Sequence, residues 1–188
     1  RFESVPGAPA NAMVVNDGTI NIGRRGVAAF VAPAVSNSGV ITADMGKVQL
    51  GAGKGFTLDL YGDQLVTFKV GDEMTGTLMG PDGTPVKALI DNTGTISAKG
   101  GQILLTASAA RDVVNQAVNV GGTITASNVR KRGGTIILSS KNSAGEATGV
   151  VEMKNANISA TGKVGGTIIA QGQHVKALGS ILDASGRR

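Results

Sequence analysis

The sequence predicts an all-β solenoid, a parallel β-helix, and three observations carry that expectation. A short alternating unit headed by glycine recurs along the chain, a second such unit follows it closely, and an asparagine precedes the first unit at three of its occurrences. Composition agrees with this. Of 188 residues, 20 are Val, 13 Ile and 16 Thr, the β-branched types that suit a pleated, half-buried surface. The chain also has 29 Gly but only 4 Phe, 1 Tyr and no Trp, so its core must be narrow. Glycine this abundant without a Gly-x-y period and with only 5 Pro excludes collagen. Hydrophobic residues at 41% against 16% charged ones exclude a disordered chain. No apolar run approaches the roughly 18 residues of a membrane-spanning helix, so no membrane insertion is expected.

The first unit reads Gly18-Thr19-Ile20-Asn21-Ile22, Gly94-Thr95-Ile96-Ser97-Ala98 and Gly122-Thr123-Ile124-Thr125-Ala126. Its variants are Gly39-Val40-Ile41-Thr42-Ala43, Ala156-Asn157-Ile158-Ser159-Ala160 and Ser180-Ile181-Leu182-Asp183-Ala184. The unit starts are separated by 21, 55, 28, 34 and 24 residues. A repeat of 21 to 24 residues with insertions fits, and the 55-residue interval holds either a long insertion or a hidden coil. The second unit reads Gly46-Lys47-Val48-Gln49-Leu50, Gly101-Gln102-Ile103-Leu104-Leu105, Gly134-Thr135-Ile136-Ile137-Leu138 and Gly166-Thr167-Ile168-Ile169-Ala170. It lies 7, 7, 12 and 10 residues beyond the inward Ile of the first unit. Both units alternate with period two, the signature of a short strand with one buried face. One repeat cannot bury such faces alone, whereas stacked repeats can. Ile20, Ile41, Ile96, Ile124, Ile158 and Leu182 then form one column, with Ala43, Ala98, Ala126, Ala160 and Ala184 beside it.

The turns keep the same register. Asn16-Asp17-Gly18, Asn37-Ser38-Gly39 and Asn92-Thr93-Gly94 place Asn16, Asn37 and Asn92 at one point of three coils. Asn and Gly tolerate the left-handed backbone of sharp corners, and stacked amides hydrogen-bond along an axis as in cross-β ladders. Two segments break the repeat. Residues 61–91 read as a β-hairpin insertion, with arms at 65–70 and 86–90 around Pro81-Asp82-Gly83-Thr84-Pro85. Residues 108–118 place Ala110, Val113, Val114, Ala117 and Val118 at helical spacing behind Ser108, which reads as a short helix.

Chemistry is sparse. No Cys removes disulfides, thiolate metal sites and cysteine nucleophiles. The single His174 excludes a multi-histidine metal site, and a surface or turn position suits it best. Parallel β-helices include enzymes that cleave acidic polysaccharides, which need clustered carboxylates. Here the 13 acids are scattered, many of them in turns such as Asp17, Asp44, Asp72, Asp82 and Asp91, and form no column across coils. The pairs Gly100-Gly101, Gly121-Gly122, Gly133-Gly134 and Gly165-Gly166 lack the Asp of a calcium-binding repeat. Gly51-Ala52-Gly53-Lys54-Gly55 lacks the spacing of a phosphate loop. No enzyme activity, metal or cofactor is therefore expected. Arg130, Lys131 and Arg132 lie in the long connection between Ile124 and Ile136 and offer a loop for an anionic ligand, beside the simpler reading of a solvated loop. The shortage of aromatics argues against nucleic acid as a partner.

The order of these phrases resembles the filamentous-haemagglutinin-like exoproteins of bacterial two-partner secretion. The resemblance lies in Val14-Val15-Asn16-Asp17-Gly18-Thr19-Ile20, Ala32-Pro33-Ala34-Val35-Ser36-Asn37-Ser38-Gly39-Val40-Ile41 and Phe56-Thr57-Leu58-Asp59-Leu60-Tyr61-Gly62-Asp63. It continues through Gly133-Gly134-Thr135-Ile136-Ile137-Leu138 and Leu182-Asp183-Ala184-Ser185-Gly186, so it runs from about residue 12 to the end. The resemblance implies a right-handed parallel β-helix, secreted to the surface of a Gram-negative bacterium through an outer-membrane partner pore. It further implies an adhesin or toxin-delivery shaft, with a receptor or glycan on a host or neighbouring cell as partner. The family's upstream Asn-Pro-Asn secretion motif is absent, so the chain corresponds to the later part of the family's amino-terminal domain, within a longer rod of which these residues are five to seven coils. Two alternatives stand beside the shaft: a filament subunit joined end to end through open strand edges, and a polysaccharide-degrading enzyme.

Overall fold

The computed structural model describes residues 2–3, 12–58, 68–70, 77–108, 115–128, 133–142 and 144–186. Three parallel sheets run side by side along one axis. The first holds Met13–Asn16, Ala34–Asn37, Ala88–Asn92, Gln116–Val120, Val150–Lys154 and His174–Leu178. The second holds Thr19–Asn21, Val40–Thr42, Thr95–Ser97, Thr123–Thr125, Asn157–Ser159 and Ile181–Asp183. The third holds Val27–Ala32, Lys47–Ala52, Gln102–Ala107, Thr135–Ser140 and Thr167–Gln171. Each circuit visits the three sheets in turn and then steps to the next coil. Five full circuits result, and a sixth contributes its first two strands. The fold is a parallel β-helix.

The expected columns are the pairing register. Ile20, Ile41, Ile96, Ile124, Ile158 and Leu182 are consecutive Cα partners across the second sheet. Val48, Ile103, Ile136 and Ile168 stack across the third, with Leu50, Leu105, Leu138 and Ala170 two residues on. Val14, Val35, Ile90, Val118, Val151 and Val175 stack across the first. These inward rows meet in a single core in which Ile41, Ile96, Ile103, Ile124, Ile136 and Ile158 are buried. The coils approach closely at the glycines that head the units. A Cβ on Gly94 would strike the Gly39 carbonyl oxygen, and one on Gly101 the Gly46 carbonyl oxygen.

Several local expectations change. The 55-residue interval is an insertion and not a hidden coil, because Val40–Thr42 pairs directly with Thr95–Ser97. The hairpin expected over 61–91 ends earlier: its return arm at 86–90 lies largely in Ala88–Asn92, a strand of the first parallel sheet, because Leu89 and Ile90 are fully buried there. What remains of the Pro81-Asp82-Gly83 turn is a tight loop closed by an antiparallel bridge between Met79 and Pro85. A separate antiparallel sheet joins Phe2–Glu3, Gly55–Leu58 and Phe68–Val70, and the rest of 61–76 lies outside the described residues. The helix expected over 108–118 is not found among the described residues, and 109–114 lie outside them. Residues 116–118 belong to the strand Gln116–Val120, where Val118 pairs with Ile90 and Val151. Parallel pairing on both sides outweighs the local helical spacing.

In the first three coils the sharp corner also moves. Asn16, Asn37 and Asn92 close their strands without positive φ, as do Gly18, Gly39 and Gly94 beyond them. In these three coils the left-handed residues sit between the second and third sheets, at Arg25 (φ 63°), Met45 (φ 54°) and Gly100 (φ 72°), whereas in the last two coils Asn155 (φ 55°) and Gly179 (φ 61°) turn the corner between the first and second. A left-handed conformation costs a non-glycine residue roughly 1–2 kcal/mol. Inter-coil hydrogen bonds hold it: the Arg25 amide donates to the Asp44 carbonyl at 3.0 Å and the Met45 amide to the Lys99 carbonyl at 3.1 Å.

Candidate functional site

Asn16, Asn37 and Asn92 occupy one position of the first sheet in three consecutive coils. Asn16 Nδ2 donates to Asn37 Oδ1 at 2.7 Å, and Asn37 Nδ2 donates to Asn92 Oδ1 at 2.7 Å. Asn92 Nδ2 reaches the Gly94 carbonyl at 3.4 Å. Asn37 and Asn92 are buried, and a buried amide needs such partners to offset lost hydration. The ladder stops where the partner of Asn92 is Val120, followed by Met153 and Ala177. Its polar groups bind one another along the axis, so this row joins coils.

Arg130, Lys131 and Arg132 lie outside the described residues, but both ends of their connection are placed. The Asn128 amide donates to the Thr161 carbonyl and the Gly133 amide to the Gly165 carbonyl, each at 2.8 Å. The connection therefore leaves and rejoins the solenoid at the corner between the second and third sheets. A shallow groove of about 460 Å³ runs along this corner, lined by Arg24, Asp44, Met45, Lys99, Ser127 and Asn128 together with Ile22 and Thr42. Arg24 lays its guanidinium on Met45, with Nη2 3.2 Å and Nε 3.4 Å from Sδ. A thioether is a weak acceptor, which leaves the cation's charge uncompensated by that contact.

A second groove, of about 450 Å³, lies between the 80–86 turn and the outer face of the first sheet, where Val15, Ser36 and Asp91 point outward. Its acids already have partners. Asp82 accepts from the Thr84 amide at 3.0 Å and hydroxyl at 2.9 Å, and these bonds, the amide foremost, hold its carboxyl below the usual range. Asp91 accepts from Asn119 Nδ2 at 2.8 Å. Elsewhere Glu152 accepts from Gln116 Nε2 at 2.9 Å, and the Ser185 amide, at 2.9 Å, holds the Asp183 carboxyl low. Among the described residues no three His, Cys, Asp or Glu side chains come together to hold a metal ion. His174 is exposed at the start of His174–Leu178. Gly51 and Ala52 end the strand Lys47–Ala52. Among the described residues no helix is long and apolar enough to cross a membrane.

No family model matches this chain, nor does any curated protein or solved structure. Two features escaped the sequence reading: the groove under the 80–86 turn and the gathering of Arg24 and Lys99 at one corner. The second had a signal, since both residues follow the end of the first repeat unit by two or fewer positions.

Proposed function

We propose that the chain is a non-catalytic segment of a secreted bacterial surface adhesin of the filamentous-haemagglutinin type, serving as rigid shaft and as export and folding module. The observation that carries this reading is the uninterrupted parallel register through six coils, in which Val40–Thr42 pairs directly with Thr95–Ser97 although 53–87 separate their coils in sequence. In such a solenoid each coil presents a finished edge on which the next one folds. A chain emerging unfolded from a pore would be drawn outward as coil after coil is added, with no nucleotide consumed. The outer-membrane pore of a two-partner system is the proposed export partner, and a receptor or glycan on a host or neighbouring cell is the proposed target. Arg130, Lys131 and Arg132 are the proposed contacts for an anionic group on that target.

The test is export. The chain, behind a signal peptide and the family's Asn-Pro-Asn-bearing segment, is co-expressed in a Gram-negative host with a two-partner pore. Pore-dependent appearance of protease-resistant chain in the medium supports the reading, and retention in the periplasm with a working pore counts against it. A second reading, end-to-end filament formation, rests on the sixth coil, where Val175, Leu178, Ile181 and Leu182 are exposed. Electron microscopy at high concentration separates the two, because discrete particles rule out filaments.

A further inference from the structure

Of the five methionines, four lie among the described residues, and their surroundings differ. Met153 is 1% exposed in the core, Met13 is half-buried in the first strand, and Met79 is 37% exposed beside the 80–86 turn. Met45 is half-buried and borders two open grooves at the corner between the second and third sheets. One is the groove of about 460 Å³ already described, and the other, of about 580 Å³, is lined by Arg25, Val27, Gly46 and Lys47 as well. Small solutes therefore reach Met45 from two sides. Its sulfur also has an uncommon neighbour. Arg24, in the first coil, directs both Nη2 and Nε at Met45 Sδ in the second, and among the described residues it makes no ion pair.

The backbone on both sides of this contact is fixed. The Met45 amide donates to the Lys99 carbonyl at 3.1 Å and the Gly46 amide to the Ala43 carbonyl at 2.8 Å. In the first coil, the Arg25 amide donates to the Asp44 carbonyl at 3.0 Å and the Gly26 amide to the Gly23 carbonyl at 2.8 Å. The two side chains thus leave from set points on adjacent coils, and the planar guanidinium presents its N–H groups as a preorganised fork. A thioether makes poor use of that fork, because its sulfur is a weak acceptor. A sulfoxide at the same position carries a polar oxygen, and a hydrogen bond from a cation to such an oxygen is roughly twice as strong as a neutral one.

We infer that Met45 is a site of oxidation by hydrogen peroxide, with Arg24 steering oxygen to its sulfur and then holding the sulfoxide, so that oxidation fastens the first coil to the second. In the reaction a sulfur lone pair attacks one peroxide oxygen, and an S–O bond forms as the O–O bond breaks. The departing oxygen leaves as hydroxide and takes the proton of the transferred oxygen, giving sulfoxide and water. Sulfur loses two electrons and the peroxide gains them. Negative charge develops on the peroxide oxygens as the bond breaks, and donors already aimed at that place stabilise it. The Arg24 N–H groups, 3.2 and 3.4 Å from Sδ, are such donors. A sulfoxide is chiral at sulfur, and delivery beside Arg24 favours one epimer. Met79 and Met153 differ from Met45 in the directions a test needs, the first more exposed and the second sealed. This chemistry belongs to the pair whether or not the chain is exported.

The experiment treats the whole chain with dilute hydrogen peroxide and follows each methionine by mass spectrometry of the digest. The epimer at Met45 is assigned with the two methionine sulfoxide reductases, each of which reduces one epimer. Parent and Arg24→Gln are compared, with circular dichroism confirming the fold of both. The expected result is that Met45 oxidises at least as fast as the more exposed Met79, while Met153 is slower by about a hundredfold or more because it reacts only on opening of the core. Arg24→Gln should slow Met45 by about threefold or more, leave Met79 unchanged, and abolish the excess of one epimer at Met45. Stability is read from urea midpoints in a background carrying Met13→Leu, Met74→Leu and Met79→Leu. There oxidation should leave the midpoint equal or higher with Arg24 present and lower it with Arg24→Gln, and reduction of the sulfoxide should restore the starting value. Protection of Met45 while Met79 oxidises, or the same Met45 rate and epimer mixture with and without Arg24, would overturn the inference. So would an equal fall in midpoint on oxidation of the two chains.

Discussion

Replacing Asn37 by Val removes the middle rung of the amide ladder. Asn37 accepts from Asn16 and donates to Asn92, both at 2.7 Å, and is 1% exposed. The substitution strands Asn92 Oδ1 at a fully buried position. A buried acceptor without a donor costs about 1–3 kcal/mol. Asn16 lies at the first coil and is half-buried, so water replaces much of its lost bond. The expected loss for Asn37→Val is therefore about 2–3 kcal/mol. Adding Asn92→Val removes the stranded acceptor and continues the apolar column already formed by Val120 and Met153. Replacing both partners of a buried bond by apolar groups is close to neutral. The double variant should then lie within about 1 kcal/mol of the parent, with a coupling energy of at least about 1.5 kcal/mol between the two sites. Urea unfolding with linear extrapolation measures all three. Additive losses with no coupling would refute the claim that the ladder is a closed hydrogen-bond network.

Three further outcomes follow from the same structure. Ile124→Ala empties a fully buried site between Ile96 and Ile158 and should cost about 3–4 kcal/mol; Ile181→Ala, at a side chain 64% exposed, should cost less than about 0.5 kcal/mol, both read from urea midpoints. Gly101→Ala drives a methyl into the Gly46 carbonyl oxygen and should destabilise by about 2 kcal/mol or more, whereas Gly23→Ala, with nothing within 4 Å, should melt within a few degrees of the parent. Asp82 and Asp183 titrate below the ordinary carboxylate value in the folded chain. Because the folded values are depressed, their stabilisation is present above the unfolded value and is lost as pH falls through the folded ones. Carboxyl carbon NMR should show both midpoints below those of the unfolded chain, and Thr84→Val should raise that of Asp82 alone.

The legible part of the fold was the part where two signals coincide. Ile96 and Ile124 alternate with Thr and Ser and also follow a glycine, so strand and register could be read together. The third-sheet strand Val27–Ala32 was missed because Arg24-Arg25-Gly26 replaces the usual corner and the inward residues are Ala28, Phe30 and Ala32, without a repeated Ile. The first sheet was only partly visible: its Asn position becomes Val120, Met153 and Ala177 in later coils, and the changing residue types hide a column that pairing geometry reveals. The helical reading of 108–118 failed over 116–118 because Ala117, Val118 and Val120 satisfy two periodicities over a short span, and only neighbouring strands decide between them. The basic corner was hidden for a different reason. Arg24 and Lys99 are far apart in sequence, and only the stacking of coils brings them to one groove.

The central claim is the in-register parallel stack, and the absence of Cys allows it to be tested with engineered pairs. Thr95 and Thr123 are Cα partners on neighbouring coils, flanking the inward Ile96 and Ile124. Parallel partners lie about 4.8 Å apart, within disulfide reach. Thr95→Cys with Thr123→Cys should oxidise to an intramolecular disulfide seen by mass spectrometry of the digest. Thr95→Cys with Thr125→Cys, displaced by two residues, should stay reduced under the same conditions. Equal oxidation of the two pairs, or preference for the displaced one, would contradict the β-helix register on which the whole account stands.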